Sequence, residues 1–135
     1  IQCNIEQLIQ EIIQESETRL TAASITLRIN RDLINPKQSL AASVPAVITR
    51  ICREVISNVI KHAEASEVKM TFTGDNKQLN IAIEDNGKGF SKHKSTGKGF
   101  KTINKRAQSI SSVIKWQSQL QQGTIFTLNY QYGNH

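Results

Sequence analysis

The chain is poor in cysteine, proline and aromatic residues, and these shortages exclude several classes of protein. Its 135 residues include two cysteines, two prolines and 5% aromatic residues. Cys3 and Cys52 are too few for a disulfide framework or a zinc site. No apolar run approaches the roughly 18 residues of a membrane span, and no secretory leader is visible. Hydrophobic residues at 38% and charged residues at 21% instead indicate one globular domain.

Acidic residues are absent from one stretch, and this stretch concentrates the positive charge. The net charge is +6, and residues 88–106 contain seven basic residues and no acidic one: Lys88, Lys92, Lys94, Lys98, Lys101, Lys105 and Arg106. The same stretch is rich in glycine. A local positive loop beside glycines favours a phosphate-bearing ligand over a nucleic-acid duplex.

Apolar periodicity predicts three helices. Residues 5–20 carry one apolar face, and residues 45–63 have apolar pairs four apart, with Pro45 suited to the first turn. Leu40 is expected to open a short helical turn before this second helix. The spacing of Phe100, Ile103, Ala107 and Ile110 predicts the third helix.

Alternating patterns predict five strands. Residues 25–29 form a single strand, residues 68–83 form a hairpin around a turn at 74–77, and residues 113–130 form a second hairpin. Helices and an antiparallel or mixed sheet are segregated along the chain. The sequence therefore predicts an α+β fold, a sandwich with the helices on one face of the sheet.

The second helix carries a polar face beside its apolar stripe. At about 100° per residue, Glu54, Asn58, Lys61 and His62 cluster on one side. Such a face can simply be solvated. It can also form a metal–nucleotide site, because Asn and Glu oxygens suit Mg²⁺ and Lys61 suits a phosphate.

Two glycine-containing segments flank the basic loop. Asp85 ends a buried strand and begins the sequence DNGKGF, where a carboxylate can accept from an exocyclic amine and glycines allow a flat ring to approach the backbone. Asp-Asn-Gly is also a common turn. Gly97-Lys98-Gly99-Phe100 opens a helix, whose exposed amides suit a phosphate. The P-loop and dinucleotide fingerprints do not occur.

Together and in this order, the segments resemble the N box and the two glycine boxes of the GHKL ATPases, a superfamily that includes gyrase, a heat-shock chaperone and histidine kinases. The match looks closest to histidine kinases of the nitrate/nitrite sensor class. It covers residues 8–130, and the motifs that carry it are Arg53-Glu54 with Asn58, Lys61-His62-Ala63, the residues 85–90, Gly97-Lys98-Gly99-Phe100, Arg106-Ala107 and Gly123-Thr124.

The resemblance implies a Bergerat-type two-layer α/β sandwich, with a mixed and mainly antiparallel sheet, that binds ATP and Mg²⁺. Asn58 would coordinate Mg²⁺, and Glu54 would polarise the attacking group or hold a metal-bound water. These two residues are the expected catalytic pair. Lys61 and His62 would face the phosphates.

For the base and the lid, the resemblance implies a second set of residues. Asp85 would bind the adenine amino group, with Thr124 helping through water. Residues 88–99 would form a mobile lid. The remaining nucleotide-binding residues would be Gly87, Gly89, Gly97, Lys98, Gly99 and Phe100. Two departures from the class are Ser111-Ser112 in place of a glycine pair and Phe100 in place of leucine.

The phosphoacceptor helix of a histidine kinase is missing from the sequence. None of His62, His93 and His135 has a phosphoacceptor context, and the chain begins with Ile1 rather than Met. We therefore expect a fragment that transfers the γ-phosphoryl group to a histidine elsewhere in the same protein. Residues 1–20 are expected to be a connector helix or the end of a dimerisation and phosphoacceptor element, and residues 21–135 the ATP-binding catalytic domain.

The resemblance also implies partners and a location. The parent protein would be a homodimeric, membrane-anchored bacterial sensor with this domain in the cytoplasm, signalling to a response regulator, and the fragment would be monomeric. The alternatives are another GHKL ATPase, an anti-sigma-type serine kinase, a domain that binds nucleotide only as a regulator, and a basic nucleic-acid-binding module. Two aromatics and no recognised motif in residues 88–106 disfavour nucleic acid.

Overall fold

The computed structural model describes residues 3–89 and 98–133, with residues 98 and 99 described by their backbone alone. In chain order the elements are α1 (Ile5–Ala22), β1 (Thr26–Leu33), α2 (Val44–Asn58), a π-helical turn (Val59–Ala63), β2 (Glu67–Gly74), β3 (Gln78–Asp85), α3 (Lys98–Ser109), β4 (Val113–Gln119) and β5 (Gly123–Gln131). None of these helices combines the length and apolar character that crossing a bilayer requires.

The strands form one five-stranded mixed sheet in the order β1-β2-β3-β5-β4. β1 runs parallel to β2, and the other neighbouring pairs are antiparallel. Both predicted hairpins are present, as β2–β3 and as β4–β5. The predicted α+β sandwich, with its mainly antiparallel sheet, is confirmed.

The core lies between the helices and one face of the sheet. On β2, Val68, Met70 and Phe72 are buried while Lys69 is exposed, which is the period-two pattern of a sheet with one covered face. The buried faces of the three helices join the same apolar cluster, in which Ile48 of α2 and Ile103 of α3 are fully buried. The helices therefore cover a single face, and the other face is mainly polar, although it carries the exposed apolar side chain of Val113.

Local hydrogen bonds define where α1 begins and where α3 ends. Asn4 and Gln7 form a capping box at the start of α1, with bonds of 2.8 and 2.9 Å. α3 ends with Ser111 in the left-handed region (φ 55°), while Ser112 N donates to Ala107 O and Ser111 N to Gln108 O. These are the two bonds of a Schellman motif. The serine pair thus makes this turn without glycine, and the Ser112 hydroxyl adds a 3.0 Å bond to Ala107 O.

The structure corrects two expectations before α2. The helical turn predicted at Leu40 does not form, because Ser39 makes a β-bridge with Asn4 and the Leu40 amide donates to Cys3 O at 3.0 Å. β1 continues to Leu33, four residues past the predicted end, because β2 supplies a parallel partner along its whole length.

α1 packs as part of the sandwich. Ile5, Leu8 and Leu20 are buried in the same apolar cluster as α2 and the sheet, and Arg19 donates to Arg53 O at 3.0 Å and to Ser57 Oγ at 2.6 Å. The role of residues 1–20 as the end of a dimerisation element stays a prediction.

Candidate functional site

A cavity of about 410 Å³ opens at the end of the sheet where β3 stops and β5 starts. Its walls come from the end of α2, the π-helical turn, the loop after β3, α3, β4 and β5. The lining residues are Val55, Asn58, Val59, His62, Ala63, Ile83, Asp85, Lys88, Gly89, Phe100, Trp116, Thr124 and Phe126. The volume lies within the range typical of small-molecule pockets.

One carboxylate lies at the inner end of this cavity. Asp85 is only 6% exposed, and its Oδ1 accepts from the Gly87 amide at 2.8 Å. Burial raises the pKa of the Asp85 carboxyl, and backbone hydrogen bonds from Gly87 and Thr124 oppose that rise. Because two backbone amides already donate to the Asp85 carboxylate, few of its lone pairs remain available. Asp85 lines the cavity, so a ligand there can donate a hydrogen bond to those that remain.

Two hydroxyls continue this polar end of the sheet. Thr124 is the register partner of Asp85 on β5, and Ser118 is the register partner of Thr124 on β4. The Ser118 and Thr124 hydroxyl oxygens are 2.8 Å apart. Ser118 Oγ also donates to Gly123 O at 3.3 Å. Of the two hydroxyl residues, Thr124 lines the cavity.

Glycines let three backbone segments meet around Asp85. A Cβ at Gly87 would overlap Ala63 O, one at Gly89 would overlap Gln119 O, and one at Gly123 would overlap Asp85 O. Hydrogen bonds join the same segments, because Lys88 N donates to Ala63 O at 2.7 Å and Gln121 N donates to Lys88 O at 2.5 Å. The loop after β3 is therefore clamped between the helix end and the β4–β5 turn.

The π-helical turn decides which residues of the second helix reach the cavity. A π-turn closes with an i→i+5 bond and so takes one more residue per turn than the α-helix. After Asn58, this brings His62 and Ala63 onto the cavity side together. Lys61 is exposed and is not among the described residues that line the cavity.

The floor and one wall are aromatic. The rings of Phe100 and Trp116 meet edge to face with centroids 4.6 Å apart, and Trp116 lies 5.1 Å from Phe126. Together with Val55, Val59 and Ile83 they give the cavity an apolar surface. Such a surface, with one carboxylate at its end, suits a flat ring that carries a hydrogen-bond donor.

Glu54 lies one turn before Asn58 and has a charged partner. Arg106 of α3 donates from Nε to Glu54 Oε1 at 2.9 Å, and both side chains are about 30% exposed. The sequence analysis assigned the carboxylate to catalysis and did not foresee this ion pair. The pair joins α2 to α3, the helix that carries Phe100.

A family model described as histidine kinase-, DNA gyrase B- and HSP90-like ATPase matches residues 43–133, which is more than half of the chain. The chain belongs to this ATPase family. Members of the family bind ATP.

Solved structures show the fold of this ATPase domain. The Acinetobacter baumannii histidine kinase AdeS is 19% identical with a TM-score of 0.75, over 99% of this chain and 68% of that one. A histidine kinase domain of the blue-light activated kinase from Erythrobacter litoralis is 16% identical with a TM-score of 0.75, over 91% and 60%. The catalytic domain of the histidine kinase ThkA is 14% identical with a TM-score of 0.72, over 97% and 95%. The chain thus spans less than two thirds of the Erythrobacter domain.

Half of the sequence-predicted ATP-site residues line the cavity: Asn58, His62, Asp85, Gly89, Phe100 and Thr124. Gly87 packs behind it against Ala63. Gly97 lies outside the described residues, and Lys98 and Gly99 are placed only as the first residues of α3. Lys88, predicted as part of the basic loop and the lid, also lines the cavity, whereas Trp116 and the apolar floor were not predicted from the sequence. The lone tryptophan, at an inward position of a strand, was the available signal.

The metal predicted at Asn58 can be tested against the donors around it. Within the described ranges, no group of three or more His, Cys, Asp and Glu side chains is arranged to hold a metal ion. Mg²⁺ commonly keeps several waters and is held by phosphates with one or two protein oxygens. The Asn58 amide oxygen lines the cavity and could serve as one such protein oxygen for an Mg²⁺ ion that is held mainly by the phosphates of a nucleotide.

Proposed function

We propose that this chain is the ATP-binding catalytic domain of a sensor histidine kinase, which binds Mg-ATP and transfers the γ-phosphoryl group to a histidine on a dimerisation helix outside the chain. The observation that carries the proposal is the buried Asp85 carboxylate at the end of an apolar, partly aromatic cavity. Membership in the ATPase family and the fold shared with histidine kinase catalytic domains support it.

The base would lie at the Asp85 end of the cavity. Its ring would pack against Val59, Ile83 and the aromatic wall, and its exocyclic amino group would donate to Asp85. A hydrogen bond to a charged group contributes about 1.5–3 kcal/mol. Asp85 therefore accounts for both orientation and selectivity, whereas the apolar walls supply contact area.

The phosphates would extend past Asn58 and His62 towards the basic residues after β3. Lys88 lies at this rim, with its Nζ 3.8 Å from Glu64 Oε1, a long and exposed ion pair that a phosphate can replace. Lys61 is exposed and does not line the cavity, so it would face the phosphates only where they extend beyond the cavity. Bound Mg²⁺ neutralises charge on the phosphates, and Asn58 would hold it in place.

Glu54 is proposed to act at the attacking group. Its carboxylate is on the helix turn before Asn58, and Arg106 holds it at 2.9 Å. Phosphoryl transfer depends mainly on positioning and on charge neutralisation. A carboxylate held by a guanidinium is oriented as such a role requires, and the acceptor histidine would approach from the partner domain.

The finer assignments are proposals as well. The motifs favour the nitrate/nitrite sensor class, a response regulator as the downstream partner, and a membrane-anchored homodimeric parent whose isolated catalytic domain is monomeric. Each depends on the histidine kinase assignment, and that assignment depends in turn on ATP binding.

The test is a calorimetric titration of the chain with ATP, with and without Mg²⁺. We expect micromolar binding, which corresponds to about −8 kcal/mol. Asp85→Asn should bind about 10- to 100-fold more weakly with or without Mg²⁺, from the loss of one charged hydrogen bond. Asn58→Ala should lose only the part of the affinity that depends on Mg²⁺.

The control is Asn76→Ala, in the exposed β2–β3 turn, which should bind like the parent. Absence of binding to the folded parent would overturn the proposal. Equal affinities in the parent and Asp85→Asn would remove Asp85 from base recognition. Transfer of the γ-phosphoryl group to a separately added phosphoacceptor domain would then test the kinase assignment.

A further inference from the structure

The hydroxyls of Ser118 and Thr124 form a pair in which the direction of one bond is fixed. Ser118 Oγ lies 3.3 Å from Gly123 O. A carbonyl oxygen can only accept, so Ser118 must donate its single hydrogen in this bond. The 2.8 Å contact between the two hydroxyls can then be donated only by Thr124.

This direction determines what Thr124 presents to the cavity. The Thr124 hydrogen points to Ser118 on the neighbouring strand, so only oxygen lone pairs remain for a ligand. Thr124 lines the cavity and is the register partner of Asp85 on β5. Side chains directly opposite on neighbouring strands have Cβ atoms about 4.5–5.5 Å apart, within reach of one ligand group.

The base end of the cavity therefore presents acceptors side by side. An exocyclic amino group has two hydrogens and can serve both the Asp85 carboxylate and the Thr124 oxygen, directly or through water. An exocyclic carbonyl has only lone pairs and would meet acceptors at both positions. Leaving a buried polar group without its partner costs about 1–3 kcal/mol, so the arrangement discriminates between the two kinds of base.

We propose that Ser118 is a specificity-determining residue that acts through Thr124: by fixing the Thr124 hydrogen away from the cavity, it makes the site select 6-aminopurine over 6-oxopurine nucleotides. Ser118 is on β4, separated from Asp85 by the strand that carries Thr124, and it is not among the described residues lining the cavity. It is thus a positioning residue. The inference rests on the proposed nucleotide site and concerns its selectivity.

The test compares ATP with inosine triphosphate, which differ in the amino or oxo group at position 6 and in the hydrogen that only the oxo form carries on N1. The N1 difference is the same in every variant, so a change in the ratio of affinities between variants reports on the Thr124 hydroxyl. The parent should prefer ATP. In Ser118→Ala, the Thr124 hydroxyl is free to rotate and donate to the oxo group, so the ratio of the two affinities should fall about 3- to 10-fold, the size of one hydrogen bond. Most of the change should be tighter binding of inosine triphosphate. A general weakening of the site would instead reduce both affinities.

Two controls separate selectivity from damage to the strand. Gln117→Ala changes the adjacent, exposed residue on the opposite face of β4 and should leave the ratio unchanged. Ser118→Thr and Ser118→Val have the same shape and suit a strand, but only Thr keeps the hydroxyl. The Thr variant should therefore retain the parent ratio, and the Val variant should lose it even if Ser118→Ala fails to fold.

The outcomes are distinct from those of the proposed function. If the folded parent binds neither nucleotide, the nucleotide site itself is wrong. If the parent binds ATP and the ratio is the same in the parent, Ser118→Ala and Ser118→Val, the proposed role of Ser118 is overturned while the site stands. A lower ratio that comes only from weaker ATP binding would also overturn it, because it would show loss of contact rather than loss of discrimination.

Discussion

Gly123 lies against the backbone of Asp85, the candidate base-recognition residue, and replacing it should damage both stability and binding. Its φ is 89°, in the left-handed region, and an added Cβ would overlap Asp85 O. Gly133 has a similar φ of 76° but nothing within 4 Å of the position of its Cβ. The two glycines therefore share the conformational cost of substitution by alanine, and only Gly123 adds a steric one.

The magnitudes follow from these two terms. An L-residue in the left-handed region costs about 1–2 kcal/mol. Overpacking against a fixed neighbour costs roughly 1–3 kcal/mol more. Gly133→Ala should thus lose about 1–2 kcal/mol, and Gly123→Ala about 2–5 kcal/mol, from a total of about 5–15 kcal/mol for a domain. Both variants should fold, with a melting temperature lower by about 4 °C per kcal/mol.

Urea unfolding measures the stability of both variants, and ATP titration measures binding. Displacement of Asp85 or Thr124 by the new methyl group should weaken ATP binding in Gly123→Ala, while Gly133→Ala should bind like the parent. Equal losses of unfolding free energy in the two variants would refute the steric argument. Parent-like ATP affinity in Gly123→Ala would refute the link between this contact and the site.

Two further predictions concern charged groups. Burial raises the folded pKa of Asp85, so the parent should gain unfolding free energy relative to Asp85→Asn as pH falls from 7 towards about 4. Urea unfolding of both proteins at each pH measures this difference, and a difference that stays constant or changes in the opposite direction would contradict the prediction. The side chains of the Glu54–Arg106 ion pair are partly exposed, so the pair should contribute little to stability. A double-mutant cycle with Glu54→Gln and Arg106→Gln should give a coupling free energy of about 1 kcal/mol or less, which decreases as salt is added. A coupling free energy that increases with salt would exclude an ion pair.

The fold was largely predictable because each element has a regular pattern. The apolar pairs of α2 and the alternation of Val68, Met70 and Phe72 report burial directly, since a helix and a strand repeat every 3.6 and every two residues. The Gly74–Lys77 turn is equally explicit: Asp75 Oδ1 accepts from Lys77 N at 2.8 Å and from Gln78 N at 3.0 Å. The β-bridge at Ser39 was not predictable, because it depends on a distant backbone partner.

The side-chain geometry of the site was less predictable, for two physical reasons. The projection of residues 45–63 as a regular α-helix placed Lys61 beside Asn58, but with the π-helical turn present His62 and Ala63 line the cavity and Lys61 does not. No single-sequence pattern indicates that turn. The Glu54–Arg106 pair joins residues 52 positions apart, and such a contact follows from the packing of α2 against α3 rather than from either helix alone.

The position of the cavity follows from the inward face of the sheet itself. On the inward face of β3, β5 and β4 the side chains are apolar except at the end that borders the cavity. Ile83, Phe126 and Trp116 form the last apolar row across the three strands, and the next inward row is polar, with Asp85, Thr124 and Ser118 in register. A buried acid at the end of a core strand is unfavourable for folding alone. The polar row extends across three neighbouring strands, so it is a feature of the sheet rather than of one strand. The sandwich thus uses its core as the floor of the cavity and its polar end as the recognition surface, so that residues such as Trp116 stabilise the fold and shape the site through the same contacts.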